Sequence, residues 1–146
     1  MGMPAATKKL GDICFAFPDV CRTQVGPAQV PIPYPNIGDL GDANNPAETV
    51  KIGGNPVITK KSSIPEPTKG AEPALPNSGV TSNTKNGPVV FKKYSNSVKA
   101  EGNGIVRMFD TTGQNCMITN PNEPSSATAN AIGTVLGGEP TVLVGD

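Results

Sequence analysis

The sequence contains no histidine and no tryptophan, and its aromatic residues are only four phenylalanines and two tyrosines. The absence of histidine excludes Ser-His-Asp and Cys-His catalysis, together with every metal site that needs an imidazole ligand. Twelve basic and twelve acidic residues cancel to zero net charge, whereas nucleic-acid binders usually carry a basic excess. Histidine-based catalysis is therefore excluded, and nucleic acid is disfavoured as a partner.

Long apolar runs are also missing. No stretch approaches the roughly 20 apolar residues that cross a bilayer, and the run at residues 13–17 is too short for a signal peptide and is closed by Pro18. We expect synthesis and folding in the cytoplasm, unless another component carries the protein elsewhere.

Glycine and proline are abundant, with 17 and 16 copies in 146 residues, and only 36% of the residues are hydrophobic. This composition predicts a single turn-rich domain over residues 1–146 with a thin core. No glycine-rich loop has the spacing of a P-loop or a dinucleotide site. Asp12, Asp19 and Asp110 lie near apolar segments, but aspartates in turns and at strand edges are far commoner than catalytic ones. We predict no catalytic residue and no enzymatic activity.

A nine-residue phrase occurs twice. Residues 50–58 (VKIGGNPVI) return 48 positions later as residues 98–106 (VKAEGNGIV). Each copy predicts a short β-hairpin, because glycine and asparagine tolerate the positive φ angles of a tight turn. The predicted turn residues are Gly54, Asn55, Gly102 and Asn103. Since single hairpins are unstable, the copies should stack into an all-β body, with Val57 and Val106 facing a shared core.

The remaining segments have weaker patterns. Residues 1–11 are expected to form a flexible arm, and residues 12–20 a strand that buries Ile13, Phe15 and Phe17 on one face. Alternating prolines make residues 26–36 extended, either as a rigid strap around the body or as an ordinary polyproline connector. Further strands are predicted at 89–93 and 141–144, a turn at 110–114, and one short helix at 125–136.

Residues 62–88 are poor in large apolar side chains, with only Ile64, Leu75 and Val80. A loop of this length in a small domain commonly marks function or mobility. We expect a surface excursion anchored by these three aliphatic residues. An alternative function follows from it, namely a β-rich ligand- or protein-binding module that presents this loop.

The three cysteines, Cys14, Cys21 and Cys116, are too few for a disulfide scaffold. Three thiolates with a fourth donor would suit zinc, although the spacing of Cys14 and Cys21 is not that of a zinc knuckle. Buried structural thiols and a Cys21–Cys116 disulfide formed after secretion are the other two interpretations.

Five motifs together resemble the PAAR-like family found at the N-terminus of polymorphic toxins, over about residues 12–120. They are PDVC at 18–21, VPIPYPN at 30–36, VKIGGNPVITKKSSIP at 50–65, VKAEGNGIVRMFD at 98–110 and NC at 115–116. The resemblance implies a small cone of pseudo-repeated hairpins on the blunt end of a trimeric β-helical spike. Such tips pierce membranes and often carry toxin cargo in type VI secretion systems, extracellular contractile injection systems and phage-like tails.

The expected partners are therefore a trimeric VgrG-like or phage-spike-like protein, with one chain per trimer, a toxin or effector cargo, and transiently the membrane of a target cell. The resemblance implies synthesis in a bacterial cytoplasm, assembly at the particle tip and delivery outside the cell or into a target cell. Tips of this family often bind a metal through histidines and a cysteine. Without histidine, the matching ligands here for one zinc or iron ion are Cys21 and Cys116, with Cys14 as an added candidate.

Overall fold

The computed structural model describes residues 2–145, and Met1 and Asp146 lie outside the described part. Over the described residues the chain forms twelve β-strands and two short 3-10 helices, Leu40–Asp42 and Pro124–Ser126. The strands are β1 Met3–Ala5, β2 Ile13–Val25, β3 Ala28–Asp39, β4 Lys51–Ile52, β5 Asn55–Pro56, β6 Ser63–Ile64, β7 Val89–Phe91, β8 Lys99–Ala100, β9 Asn103–Gly104, β10 Thr111–Gln114, β11 Ala131–Leu136 and β12 Glu139–Val144. The predicted all-β class is confirmed. No described helix is long and apolar enough to cross a membrane.

Six strands form an antiparallel sheet in the order β3-β2-β11-β10-β7-β6. The long hairpin of β2 and β3 forms one side of this sheet, and β3 is its edge. Pro31, Pro33 and Pro35 all lie in β3. An edge strand tolerates proline because the missing N–H donors can fall on the side that pairs with no neighbour. The proline-rich segment is therefore a paired edge strand rather than a free connector.

The prediction for the buried face of β2 is wrong. Cys14 and Ala16 are buried, whereas Phe17 is 57% exposed and Ile13 and Phe15 are only partly buried. The inner side of the sheet faces a core that already contains large side chains, among them Phe91, Leu40, Ile58 and Val135. The small side chain of Cys14 packs in this core, and the alternating pattern alone does not say which of the two faces of β2 turns inward.

Two further predictions are wrong in the C-terminal part of the chain. The expected helix at 125–136 is a 3-10 turn followed by β11, and the expected turn at 110–114 is largely strand β10. β11 pairs with β2 on one side and with β10 on the other. Thr128, Asn130 and Gly133 are weak helix formers, so the sheet partners decide the conformation here. The strands predicted at 89–93 and 141–144 are confirmed as β7 and β12.

The expected flexible arm is also wrong over the residues that the structure describes, while Met1 lies outside them. Residues 3–5 form β1, which pairs antiparallel with β12 near the other end of the chain. Ala5, Ala6 and Thr7 are buried. The first residues are thus an integral part of the body.

Residues 62–88 lie against the main sheet instead of standing away from it. Bridges join Ile37 to Lys69 and Cys21 to Gly79, so the segment runs beside β3 and β2. Of the three expected anchors, Ile64 is buried but Val80 is 48% exposed. The other buried side chains of the segment are small, and this lets the backbone approach the sheet closely: Ser62, Thr68, Ala71, Ala74, Ser78 and Ser82.

Candidate docking surface

The two repeated phrases form two matching hairpins, as the sequence predicts. In the first, β4 pairs with β5 around Gly53 and Gly54; in the second, β8 pairs with β9 around Glu101 and Gly102. All four of these turn residues have positive φ angles, which is the requirement of a type I′ two-residue turn. Gly54 and Gly102 are the second of the two turn residues in their hairpins.

The assignment of Asn55 and Asn103 to the turns is wrong. Each is the first residue of the returning strand, and each pairs with the residue just before the turn. Their side-chain amides lie 3.4 Å from the carbonyl oxygens of Gly53 and Glu101. Each turn therefore begins one residue earlier than predicted. The asparagine that follows the turn donates a side-chain hydrogen bond to the carbonyl of the first turn residue.

A third arm of the same kind is built from the two ends of the chain. β12 takes the place of the first hairpin strand and β1 that of the second, with Pro4 opposite Leu143 as Pro56 is opposite Lys51. The sequences agree: residues 141–144 (TVLV) match 49–52 (TVKI) and 97–100 (SVKA), and residues 3–9 (MPAATKK) match 55–61 (NPVITKK). A search for contiguous repeats misses this copy because it is split, although the shared Pro-x-x-Thr-Lys-Lys pattern could have shown it.

The three arms join in a closed ring of backbone hydrogen bonds. Ala6 N–H donates to the Val106 carbonyl at 2.9 Å, Val106 to Ile58 at 3.0 Å, and Ile58 to Ala6 at 3.0 Å. A second set of three bonds has its donors two residues further along each arm. The N–H groups of Lys8, Lys60 and Met108 donate to the carbonyl oxygens of Pro56, Gly104 and Pro4, at 2.8, 3.0 and 2.8 Å respectively. Each bond has two counterparts, so this end of the molecule has threefold pseudo-symmetry. We call it the threefold end.

The ring separates two apolar clusters. Ala6, Ile58 and Val106 belong to the large core under the main sheet. Their preceding residues, Ala5, Val57 and Ile105, point to the other side, into a small cluster enclosed by the three arms that also contains Ala47, Ala100 and Val144. Val57 and Val106 are both fully buried, but the prediction that they share one core is wrong, because neighbouring residues of an extended segment point to opposite sides.

Side chains also connect the arms. The Glu101 carboxylate accepts hydrogen bonds of 2.7 Å from the Thr49 backbone N–H and hydroxyl, which tie the second turn to the start of the first arm. These bonds hold the pKa of Glu101 below its usual range. Glu139, at the start of the third arm, lies against the first turn: a Cβ on Gly53 would lie 2.7 Å from its carboxylate oxygen.

An ion pair between Arg107 and Asp110 secures the end of β12. The Arg107 guanidinium donates to both carboxylate oxygens at 3.0 Å, and both side chains are almost completely buried. The same guanidinium donates to the Gly145 carbonyl at 3.1 Å. Because the guanidinium bonds to both carboxylate oxygens and to the carbonyl of Gly145, it fixes the end of the C-terminal strand against the second arm.

The three cysteines lie in three separate clusters: Cys14 in the large core, Cys21 with Ala71 and Ala74, and Cys116 with Val90 and Ala127. All three are free and buried. Burial raises the pKa of Cys21 to about 11 and of Cys116 to about 12, and raises that of Cys14 further. Within residues 2–145, no group of three cysteine, aspartate or glutamate side chains is placed to hold a metal. The structure does not bring the three thiols of the predicted site together, and the donors do not fit the metal that the family resemblance implies.

Near Cys21 lies a buried polar network instead. Asp19 is fully buried, and its Oδ1 accepts hydrogen bonds from the side-chain amides of Asn115, at 3.0 Å, and Asn130. The side-chain oxygen of Asn130, Oδ1, accepts hydrogen bonds from the backbone N–H groups of Thr81 and Ser82. This network ties residues 62–88 to the main sheet. The Cys21 thiol joins it by donating to Asp19 Oδ1 at 3.7 Å, and burial raises the pKa of this thiol, which keeps it protonated at neutral pH.

Comparison with known proteins agrees with the resemblance noted in the sequence. The family model for the toxin PAAR-like domain matches residues 12–121. A DNase toxin, Tse7, of Pseudomonas aeruginosa is 37% identical over 105 residues, which are 68% of this chain and 27% of that protein. The chain thus spans about a quarter of the length of this curated relative. No solved structure matches. The chain belongs to the toxin PAAR-like domain family.

Proposed function

We propose that this protein is a non-enzymatic tip that caps the trimeric spike of a contractile injection apparatus and pierces the target membrane. The observation that carries the proposal is the closed ring of six backbone hydrogen bonds that relates the three arms. A single chain can make equivalent contacts with all three subunits of a threefold-symmetric platform when it offers similar surfaces three times. The threefold end does so, and it is the face that we assign to the spike.

The apolar residues of this end fit the same role. Val50, Val98 and Val142 occupy equivalent positions in the three arms, and all three are partly exposed, Val98 and Val142 by 37% each. Identical side chains at three related positions suit identical pockets on a trimer. Apolar contacts at the centre of an interface supply much of its binding energy.

The closed ring and the buried network also give the tip the rigidity that penetration demands, because each ties together segments that are distant in the sequence. The prolines of β3 stabilise the folded body, because they reduce the conformational freedom of the unfolded chain. The same particle would carry a toxin cargo: the relative named as a DNase toxin is about four times the length that it shares with this chain. After synthesis in a bacterial cytoplasm, the protein would be assembled at the particle tip and delivered with it.

The alternative of a binding module that uses residues 62–88 is less well supported. The bridges to β2 and β3, and the small side chains buried beneath the segment, make it a cover for the sheet. In such a module, the surface of residues 62–88 would bind the ligand while the backbone of the same residues stays bonded to β2 and β3.

Association with a spike tests the proposal. The purified chain is mixed with the trimeric β-helical spike protein encoded by the same genome, and the mass of the complex is measured by light scattering after gel filtration. We expect one chain per trimer. Changing Val98 and Val142 together to Glu should abolish the complex, whereas Ile132→Glu, at a 62% exposed position on the main sheet, should leave it intact. Absence of any association at all salt concentrations would overturn the proposal.

A further inference from the structure

The outer strand of each arm has one residue whose backbone groups point away from the molecule. In a two-residue hairpin, the pair that closes the turn exchanges both hydrogen bonds, and the next pair exchanges none. Ile52 with Asn55 and Ala100 with Asn103 close the turns, so Lys51 with Pro56 and Lys99 with Gly104 are the non-bonded pairs. Met3 with Val144 and Pro4 with Leu143 continue the same register in the third arm.

The ring confirms this orientation independently. The carbonyl groups of Pro56, Gly104 and Pro4 accept their hydrogen bonds from the neighbouring arms and not from their own hairpin partners. Two of these three positions are prolines, which have no N–H to donate. The residues opposite them, Lys51, Lys99 and Leu143, must therefore direct their own N–H and C=O groups outward.

Lys51 and Lys99 are exposed and Leu143 is 62% exposed. No backbone hydrogen bond beyond the strand pairing is found for these three residues within the described part of the chain. Each arm therefore has a short free strand edge, and free edges readily pair with strands of other chains.

We infer that Lys51, Lys99 and Leu143 form strand-type main-chain hydrogen bonds with three strand edges at the end of a trimeric β-structured partner. The inference rests on the proposed function and names what the partner must offer. A symmetric trimer presents three identical groups, but the side chains here are two lysines and a leucine, which share no binding chemistry. Only the backbone N–H and C=O are common to all three, and main-chain pairing of this kind provides affinity with little dependence on side chains.

Hydrogen exchange measured by mass spectrometry tests the inference, with the trimeric spike protein as the probe. Peptides that contain residues 51, 99 and 143 should exchange rapidly in the free chain and about tenfold or more slowly in the complex. The tip of the β2–β3 hairpin, residues 24–30, is the internal control and should not change. A complex of one chain per trimer without protection at these three positions would overturn the inference and leave the proposed function standing.

Matched substitutions separate backbone from side-chain recognition. Lys51→Pro and Lys99→Pro each remove one outward N–H but no bond within the hairpins, and each should weaken binding about five- to tenfold. Lys51→Ala and Lys99→Ala keep the N–H and should bind as the unchanged protein does. If the alanine variants lose as much affinity as the proline variants, side chains carry the contact and the inference is wrong. Circular dichroism confirms folding of each variant; if a proline variant does not fold, the exchange measurement decides. Absence of any complex would overturn both proposals.

Discussion

The threefold end and the main sheet are built in different ways from the same glycine- and proline-rich chain. Three short arms with nearly the same pattern meet around a ring of main-chain bonds, and small aliphatic residues fill the space between them. The main sheet has no internal repeat: its inner face packs on one large core, and a long irregular segment covers β2 and β3. Symmetry is thus confined to the end for which we propose a symmetric partner.

The difference shows how little side-chain identity the threefold end needs. Equivalent positions at the ring hold Ala6, Ile58 and Val106, which differ in size but all bury completely. In the main sheet, by contrast, individual polar side chains have specific hydrogen-bond partners. The side chains of Asp19 and Asn130 bond to each other, and Asn130 also bonds to the backbone of Thr81 in a distant segment. The ring should therefore tolerate exchange among aliphatic residues, whereas the network should not tolerate loss of a partner.

A buried charge on either side of the ring should have the largest effect. Val57→Asp and Val106→Asp each place an unpaired carboxylate in an apolar cluster, and each should cost more than about 3 kcal/mol of unfolding free energy. Urea unfolding followed by circular dichroism measures the loss, with Val80→Asp at a 48% exposed position as the control. If the variant that carries both Val57→Asp and Val106→Asp kept the melting temperature of the unchanged protein, the description of the threefold end as two buried apolar clusters would be wrong.

Loss of one partner in the polar network should be the next largest effect. Asn130→Ala removes hydrogen bonds to Asp19, Val20, Thr81 and Ser82, and we expect a loss of about 1–3 kcal/mol. Limited proteolysis should detect faster cleavage within residues 76–84, while the arms stay protected. Asn122→Ala, at an exposed position, is the control. Equal proteolysis rates in the two variants would show that the network does not hold this segment.

Alkaline pH should weaken the sheet side of the molecule. The thiols of Cys21 and Cys116 have an ordinary pKa of 9, but burial raises the pKa values in the folded protein to about 11 and about 12. As the pH rises above 9, the unfolded chain loses these protons first, so the unfolding free energy should fall between about pH 9 and about pH 12. The double variant Cys21→Ala, Cys116→Ala should show a flatter pH dependence. A steeper or unchanged slope in that variant would assign the effect to other groups.

A smaller effect is expected at the second turn. The pKa of Glu101 is lowered in the folded protein by its bonds to Thr49, so the stabilisation is present above the ordinary carboxyl pKa and is lost as the pH falls through the lowered value. Glu101→Gln keeps the shape but removes the charge, and should reduce the unfolding free energy at neutral pH only slightly, because solvent screens an exposed carboxylate. The unfolding free energy of the variant should also lack the decrease at acid pH that comes from protonation of Glu101. Identical pH profiles of the unfolding free energy for the two proteins would contradict a stabilising role of the Glu101–Thr49 bonds.

Chelation is expected to have the smallest effect of all. Because the thiols lie in separate clusters, protein purified without chelator should contain less than about a tenth of an equivalent of zinc or iron, and EDTA should not change its melting temperature. Elemental analysis measures the metal content. Near-stoichiometric metal that disappears in Cys21→Ser or Cys116→Ser would establish a site that the donor positions do not indicate.

The sequence by itself determined the features that depend on neighbouring residues. Gly53-Gly54 and Glu101-Gly102 lie within strand-prone phrases, and the preference for positive φ at such positions is local, so both hairpins could be predicted. The strands β7 and β12 follow from short runs of β-branched residues for the same reason. The family motifs are also contiguous stretches, which is why the family could be recognised from residues 18–116.

Only the tertiary structure decided the features that depend on distant partners. The third arm joins residues 3–5 to residues 139–144. The Pro-x-x-Thr-Lys-Lys pattern marks only one of its two strands in the sequence, and the pairing of the two chain ends appears only in the folded structure. The segments at 111–114 and 131–136 became strands because they pair with each other and with β7 and β2, and these hydrogen-bond partners outweigh weak local preferences. Which face of β2 turns inward was also decided by tertiary packing: Cys14 packs in the core that holds Phe91 and Ile58, and Ala16 is buried on the same side of the strand.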